Sequence, residues 1–200
     1  MPDDNSTIES NARSSRIWTA ANILTFCRIL LILPFLYLIG QGRFGIALVI
    51  FFIASITDYI DGYLARNYGQ QSRLGQFLDP AADKLLTTAA FVVLALPREG
   101  LPSIPVWLTA AVVGRDLFIV SGSLIIYLIT RYKDFKPTQL GRINTFLEMG
   151  LVFWFLIFHA AGILIWLLPT LYYVVLASLL LSGGEYLLQG IRILKNRKSN

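Results

Sequence analysis

Charge is what this 200-residue chain has least of. Only 14% of its residues are Asp, Glu, Lys or Arg, against roughly 25% in soluble globular domains. That supply cannot dress a water-facing surface, so an ordinary soluble domain is excluded. A single cysteine, Cys27, excludes an intrachain disulfide; on an apolar face it reads as a packing residue. The first fifteen residues lack the basic-then-apolar order of a cleaved signal peptide, and residues 1–16 read as a disordered cytoplasmic tail. The net charge of +5 does not point to nucleic acid. Its basic residues are spread over short polar connections rather than gathered into a patch, which is the pattern of membrane topology and anionic lipid headgroups.

What is present is apolar: 56% of the chain is hydrophobic. Runs long enough to cross a bilayer cover about 17–39, 46–64, a third beginning near Gly75, then 106–130, 143–164 and 166–188. The expected fold is therefore all-α, a polytopic integral membrane protein with a bundle of six transmembrane helices. One membrane domain, 17–193, lies between the polar tail and a basic cytoplasmic tail, 194–200. Glycine-rich GQGRFG (40–45) and proline-rich PREGLPSIP (97–105) mark turns. With six spans, twelve basic residues fall on one side, and only Arg43 and Arg98 on the other. The positive-inside rule then places both termini in the cytoplasm. His159, remote from the acidic residues described next, reads as a satisfied core or interfacial histidine.

The chain is organised around residues 58–83, DYIDGYLARNYGQQSRLGQFLDPAAD. Four acids sit here with bilayer-length apolar runs on both sides, and acids at the ends of membrane helices mark a functional site by default. Asp58 and Asp61 are three apart, Asp79 and Asp83 four apart, so each pair shares one helix face. At ~1.5 Å per residue Asp58 lies roughly 18 Å along from Ile46, and Asp79 and Asp83 follow within about two turns of Gly75. Both pairs reach a similar depth at the cytoplasmic face. Two facing carboxylate pairs would form an oxygen-rich cage for hard divalent cations such as Mg²⁺.

Written as a pattern, the stretch is D-x2-D-G-x2-A-R-x8-G-x3-D-x3-D. Asp58, Asp61, Gly62, Ala65, Arg66, Gly75, Asp79 and Asp83 fill every fixed position. This resembles the signature of the CDP-alcohol phosphatidyltransferases, membrane enzymes of phospholipid synthesis. The resemblance implies two Mg²⁺ or Mn²⁺ ions held by Asp58, Asp61 and Asp79, with Asp83 touching one metal and taking the acceptor's proton. It implies a CDP site at Asp58, Gly62, Ala65, Arg66 and Gly75. It also implies CDP-diacylglycerol as donor, CMP as product, and a homodimer.

The alcohol acceptor is read from weaker features. The opening NILTFCRILLIL and the segment Gly114-Arg115-Asp116 resemble bacterial phosphatidylglycerophosphate synthases, implying glycerol 3-phosphate in a bacterial-type cell membrane. KPTQLGRINT (136–145) is similar to the same connection in CMP-forming cardiolipin synthases, whose acceptor is phosphatidylglycerol. A phosphorylated acceptor calls for basic residues, and Arg28, Arg115, Lys136 and Arg142 are the candidates. Arg28 shares a face with Asn22 and Thr25 inside the first span, and Arg115–Asp116 reads equally as a local charge pair. A transporter or channel would instead place acids near the bilayer midplane and tend to show an internal repeat. Neither is visible here.

Overall fold

A computed structural model of the protein describes residues 20–68, 75–97, 99–100, 102–130 and 138–198. The side chains at 20–25, 58–68, 75–83, 124, 126–127, 129–130, 193–194 and 196–198 lie outside that description. So do the tail 1–16, the loop after the first carboxylate pair and the connection containing Lys136. Six α-helices carry the described chain: α1 (Ala20–Gly40), α2 (Phe44–Tyr68), α3 (Gly75–Ala95), α4 (Val106–Thr130), α5 (Gln139–Ala161) and α6 (Leu168–Lys198), with a 3₁₀ turn (Ile165–Leu167) before the last. No strand occurs among the described residues. The chain divides into two compact units, Met1–Val93 and Leu94–Asn200.

In the first unit, α1 and α2 form a helical hairpin. Gly42 adopts a left-handed φ of 68°, a conformation glycine reaches without a Cβ penalty, and the Arg43 amide donates to the Leu38 carbonyl at 2.9 Å. The buried positions follow the helical period: Arg28, Ile32, Phe35 and Ile39 on α1 against Phe44, Ala47, Phe51 and Ala54 on α2. The Phe35 and Phe51 rings meet at 5.7 Å. Pro34 sits inside α1 without ending it, as membrane helices tolerate. Cys27 is exposed rather than packed inside, because it falls beside, not on, the inward stripe.

In the second unit, α6 packs on both α4 and α5. Its inward stripe is Leu168, Tyr172, Val175, Leu179 and Ser182, facing partners that include Leu108, Val112, Leu151 and Phe155. Outward faces are equally apolar: Leu180 is 70% exposed and Phe146 76%. A helix apolar all round belongs in a core or a membrane, and the second unit has too little chain around it for the former.

Several helix boundaries differ from the sequence reading, among them both ends of α5 and the end of α6. Helix α5 starts at Gln139 rather than near Ile143, because Thr138 caps it: its extended backbone lets the hydroxyl accept from the Gly141 amide at 3.0 Å. Helix α6 runs to Lys198, taking in most of the expected basic tail; Lys and Arg are good helix formers and favour a C-terminus. At the far end of α5, Gly162 (φ 67°) makes the left-handed cap, its amide donating to the Phe158 carbonyl.

Three helical stretches are long and apolar enough to cross a membrane: Val106–Ser123, Gln139–Ala161 and Ile165–Arg192. Among the described residues the first three helices supply shorter apolar stretches, Phe26–Gly40, Phe44–Thr57 and Lys84–Ala95. These three stretches begin or end at Phe26, Thr57 and Lys84, where the described side chains begin or end. The structure thus supports an all-α membrane protein.

Candidate functional site

The fixed residues of the pattern fall on two successive helices of the first unit. Asp58, Asp61, Gly62, Ala65 and Arg66 occupy the last three turns of α2, and Gly75, Asp79 and Asp83 the first turns of α3. The interrupted polar segment between them is short, so by chain order the two acid-bearing ends are neighbours. Their side chains lie outside the described residues, and the arrangement is therefore one of register: two carboxylates within one turn of each helix. Among the described residues no group of three or more His, Cys, Asp or Glu is placed to hold a metal; the four aspartates fall outside that set. As a donor set they are all oxygen, which fits a hard divalent cation.

The basic candidates are dispersed. Arg28 in the first unit is only 1% exposed and is engaged within the chain. Arg142 is exposed near the start of α5, and Lys136 lies outside the described residues.

Arg115 is the best-defined of the four. Its Nη1 donates to Asp116 Oδ1 at 2.9 Å, so the local charge pair expected from sequence is present. Its Nη2 donates to Ser182 Oγ on α6, and the guanidinium carbon sits 5.8 Å from the centre of the Tyr186 ring. The side chain is 9% exposed. Tyr186 in turn reaches the start of α5, where its hydroxyl accepts from the Thr138 amide at 3.4 Å. One arginine thus ties α4 to α6, and through Tyr186 to the cap of α5. A charge this deep in a membrane helix is tolerable only with such partners.

A second polar chain lies beside it on α5 and α6. The Asn144 amide donates to Glu148 Oε1 at 2.7 Å, and Ser178 Oγ donates to Asn144 Oδ1 at 2.7 Å. Asn144 and Glu148 are both fully buried. Ser178, Ser182, Glu185, Tyr186 and Gln189 had no assigned role in the sequence reading. Their spacing, mostly three or four apart on one stripe of α6, is the signal that marks a polar inner face. His159 behaves as expected: its Nδ1 lies 2.9 Å from the Phe155 carbonyl, one turn back.

Comparison with known proteins bears on the family. The family model for CDP-alcohol phosphatidyltransferase matches residues 18–177. A probable cardiolipin synthase (CMP-forming) of Drosophila melanogaster is 34% identical over 160 residues, covering 72% of this chain and 48% of that protein. The cardiolipin synthase (CMP-forming) of Homo sapiens is 35% identical over 151 residues, 68% of this chain and 49% of that protein. A probable phosphatidylglycerophosphate synthase of Mycobacterium tuberculosis (strain H37Rv) is 35% identical over 144 residues, 68% of this chain and 65% of that protein. The chain spans about half the length of the first two of these relatives. With the eight-residue pattern complete and most of the chain matched, this protein belongs to the CDP-alcohol phosphatidyltransferase family.

Proposed function

We propose that this chain transfers a phosphatidyl group from CDP-diacylglycerol to an alcohol that carries a glycerol phosphate, releasing CMP. The observation that carries the reading is the uninterrupted pattern from Asp58 to Asp83, set at the end of one helix and the start of the next. The acceptor hydroxyl oxygen attacks the lipid-bearing phosphorus. The bond from that phosphorus to the CMP oxygen breaks, CMP leaves with the bond's electrons, and the hydroxyl proton passes to Asp83. Asp58, Asp61 and Asp79, with Asp83, would hold two Mg²⁺ or Mn²⁺ ions. Bound there, the ions would supply charge neutralisation at the attacking and leaving oxygens. Gly62 and Ala65 leave the face of α2 beside the acids without bulk, and Arg66 offers a forked donor set to phosphate.

Glycerol 3-phosphate is the acceptor supported by the opening span, by Gly114-Arg115-Asp116, and by relatives named as a probable phosphatidylglycerophosphate synthase and a CDP-diacylglycerol–glycerol-3-phosphate 3-phosphatidyltransferase. Phosphatidylglycerol is the second reading, supported by the connection KPTQLGRINT and by relatives named as cardiolipin synthases. Both bring a phosphate, and Arg28, Arg115, Lys136 and Arg142 are the cations proposed to serve it. We further propose six spans, with both termini and the carboxylates at the cytoplasmic face of a bacterial-type cell membrane, and a homodimer. Supporting the spans, α1 and α3 have 21 residues each and α2 has 25, and about 20 residues cross a hydrocarbon core.

The test is CMP release by the purified full chain in detergent with CDP-diacylglycerol and Mg²⁺, offering each acceptor alone. Acceptor-dependent release that EDTA abolishes is the expected result. Release with phosphatidylglycerol only would assign the second reading. No release with either acceptor would refute a glycerol-phosphate acceptor, and release indifferent to EDTA would refute the metal assignment.

A further inference from the structure

Tyr186 has no part in the reaction described above, yet it touches both neighbours of α6 in the second unit. Its ring lies under the Arg115 guanidinium of α4, 5.8 Å from centroid to carbon, within cation–π range. The same ring packs on the first turn of α5. A Cβ built on Gly141 would lie 3.2 Å from Tyr186 Cε2 and 3.2 Å from its hydroxyl oxygen. A residue without a side chain is what lets the ring come this close.

The hydroxyl carries the contact further. It accepts from the Thr138 amide at 3.4 Å. Thr138 uses its other two polar groups on the residues that follow. Its hydroxyl accepts from the Gly141 amide at 3.0 Å, and its carbonyl accepts from the Arg142 amide at 3.2 Å. Tyr186 thus holds Thr138, and Thr138 holds the backbone on which Arg142 stands.

Arg142 is badly placed for stability. It closes the first turn of α5, where the helix dipole is positive and disfavours a cation. No acid stands in that turn to pair with it, and the residue is exposed. A neutral or acidic residue would serve the helix better. The arrangement gains sense when an anion arrives from outside the chain, and the reaction proposed above supplies one in the acceptor's phosphate.

We infer that Tyr186 is a positioning residue for the acceptor: its hydroxyl on the Thr138 amide and its ring on Gly141 fix the first turn of α5 so that Arg142 meets the acceptor phosphate. The inference rests on the proposed phosphatidyl transfer and on Arg142 serving that phosphate. In glycerol 3-phosphate, as in phosphatidylglycerol, the phosphate is separate from the hydroxyl that reacts. A displaced Arg142 therefore weakens acceptor binding equally in the ground state and the transition state, which raises KM and leaves kcat.

The experiment measures CMP release by the full chain in detergent, with CDP-diacylglycerol, Mg²⁺ and whichever of the two acceptors supports release. Arg142→Gln should raise the acceptor KM about 10- to 100-fold, the loss of one charge-assisted hydrogen bond. Tyr186→Phe keeps the ring and deletes only the hydroxyl. It should raise the acceptor KM about 2- to 10-fold, with kcat and the CDP-diacylglycerol KM unchanged. In the Arg142→Gln background Tyr186→Phe should add nothing, because the cation it positions is gone. Gly141→Ala, which pushes the ring off the first turn, should raise the same KM.

An acceptor KM unmoved by Tyr186→Phe would overturn the inference and leave the reaction standing. So would a rise that multiplies in full with that of Arg142→Gln, or a fall in kcat alone, since either would make Tyr186 a general support of the fold. An acceptor KM unmoved by Arg142→Gln would remove that cation from acceptor binding, and the inference with it. Release with neither acceptor would refute the reaction and the inference together.

Discussion

Replacing Asn144 by alanine should cost this protein more stability than any other single polar truncation on the α5–α6 seam. Asn144 is fully buried and stands between two partners, donating to Glu148 Oε1 and accepting from Ser178 Oγ, each at 2.7 Å. The two bonds are unequal. Ser178 also donates to the Val175 carbonyl at 2.8 Å, so it has a local alternative when Asn144 is removed. Its share is that of an ordinary interhelical bond in a membrane, about 0.6 kcal/mol. The Glu148 bond goes to a carboxylate at zero exposure, in the class worth about 1.5–3 kcal/mol. Asn144→Ala should therefore lose about 2–3.5 kcal/mol, and Ser178→Ala only about 0.6–1.7 kcal/mol.

The assay is reversible unfolding of the full chain in mixed micelles, followed by tryptophan fluorescence. Three of the four tryptophans, Trp107, Trp154 and Trp166, lie in the second unit, so with Trp18 replaced by Phe the signal reports on that unit. A cost for Asn144→Ala within about 0.5 kcal/mol of zero, the range of neutral surface changes, would refute the reasoning. So would a larger cost for Ser178→Ala, since that would place the energy in the interhelical bond rather than at the carboxylate.

Other predictions concern the motif and the caps. Asp83→Asn should lower turnover by about 10²–10⁴-fold, the usual contribution of a general base, while CDP-diacylglycerol binding measured at equilibrium stays close to wild type; unchanged turnover would remove Asp83 from that role. Asp61→Ala should lose Mg²⁺-supported nucleotide binding as well as turnover, and retained binding would count against its assignment as a ligand. Two glycines of α5 should respond oppositely to alanine. At Gly150 an added Cβ meets nothing within 4 Å, so the change should stabilise by about 0.5–1 kcal/mol. At Gly141 the Cβ would lie 3.0 Å from the capping Thr138 oxygen and 3.2 Å from the Tyr186 ring. Disturbing that cap should leave Gly141→Ala at least about 1 kcal/mol below Gly150→Ala in the same unfolding assay; equal values would mean the cap does not hold α5.

Sequence alone determined the class of this protein and its family. Low charge with long apolar runs leaves only a membrane protein, because helices in hydrocarbon must be covered by apolar side chains. Eight residues fixed across 26 positions identify the family, because a motif carried by two helices that follow one another is a matter of spacing along the chain. The turn at Gly42 was equally local, resting on a left-handed φ that glycine adopts without a Cβ penalty; the end of α5 at Gly162 was not read, because the apolar run continues past it. The start of α5 was local as well, but the cap Thr138 was hidden by the polar run that precedes it.

Only tertiary structure decided what the remaining polar residues do. Asn144, Glu148 and Ser178 are separate polar residues within apolar helices, and only the antiparallel contact of α5 with α6 makes them one hydrogen-bonded chain. Arg115 read as evenly poised between a local pair and a substrate contact. Its bond to Asp116 is a neighbour's, but Ser182 and Tyr186 lie about seventy residues away in sequence, and the crossing of α4 with α6 alone brings them under the guanidinium. Periodicity says which stripe of a helix turns inward; it carries no information about which other helix that stripe meets. The physical reason is that local propensities are summed within a few turns, whereas the partners of a buried charge are chosen by how whole helices pack.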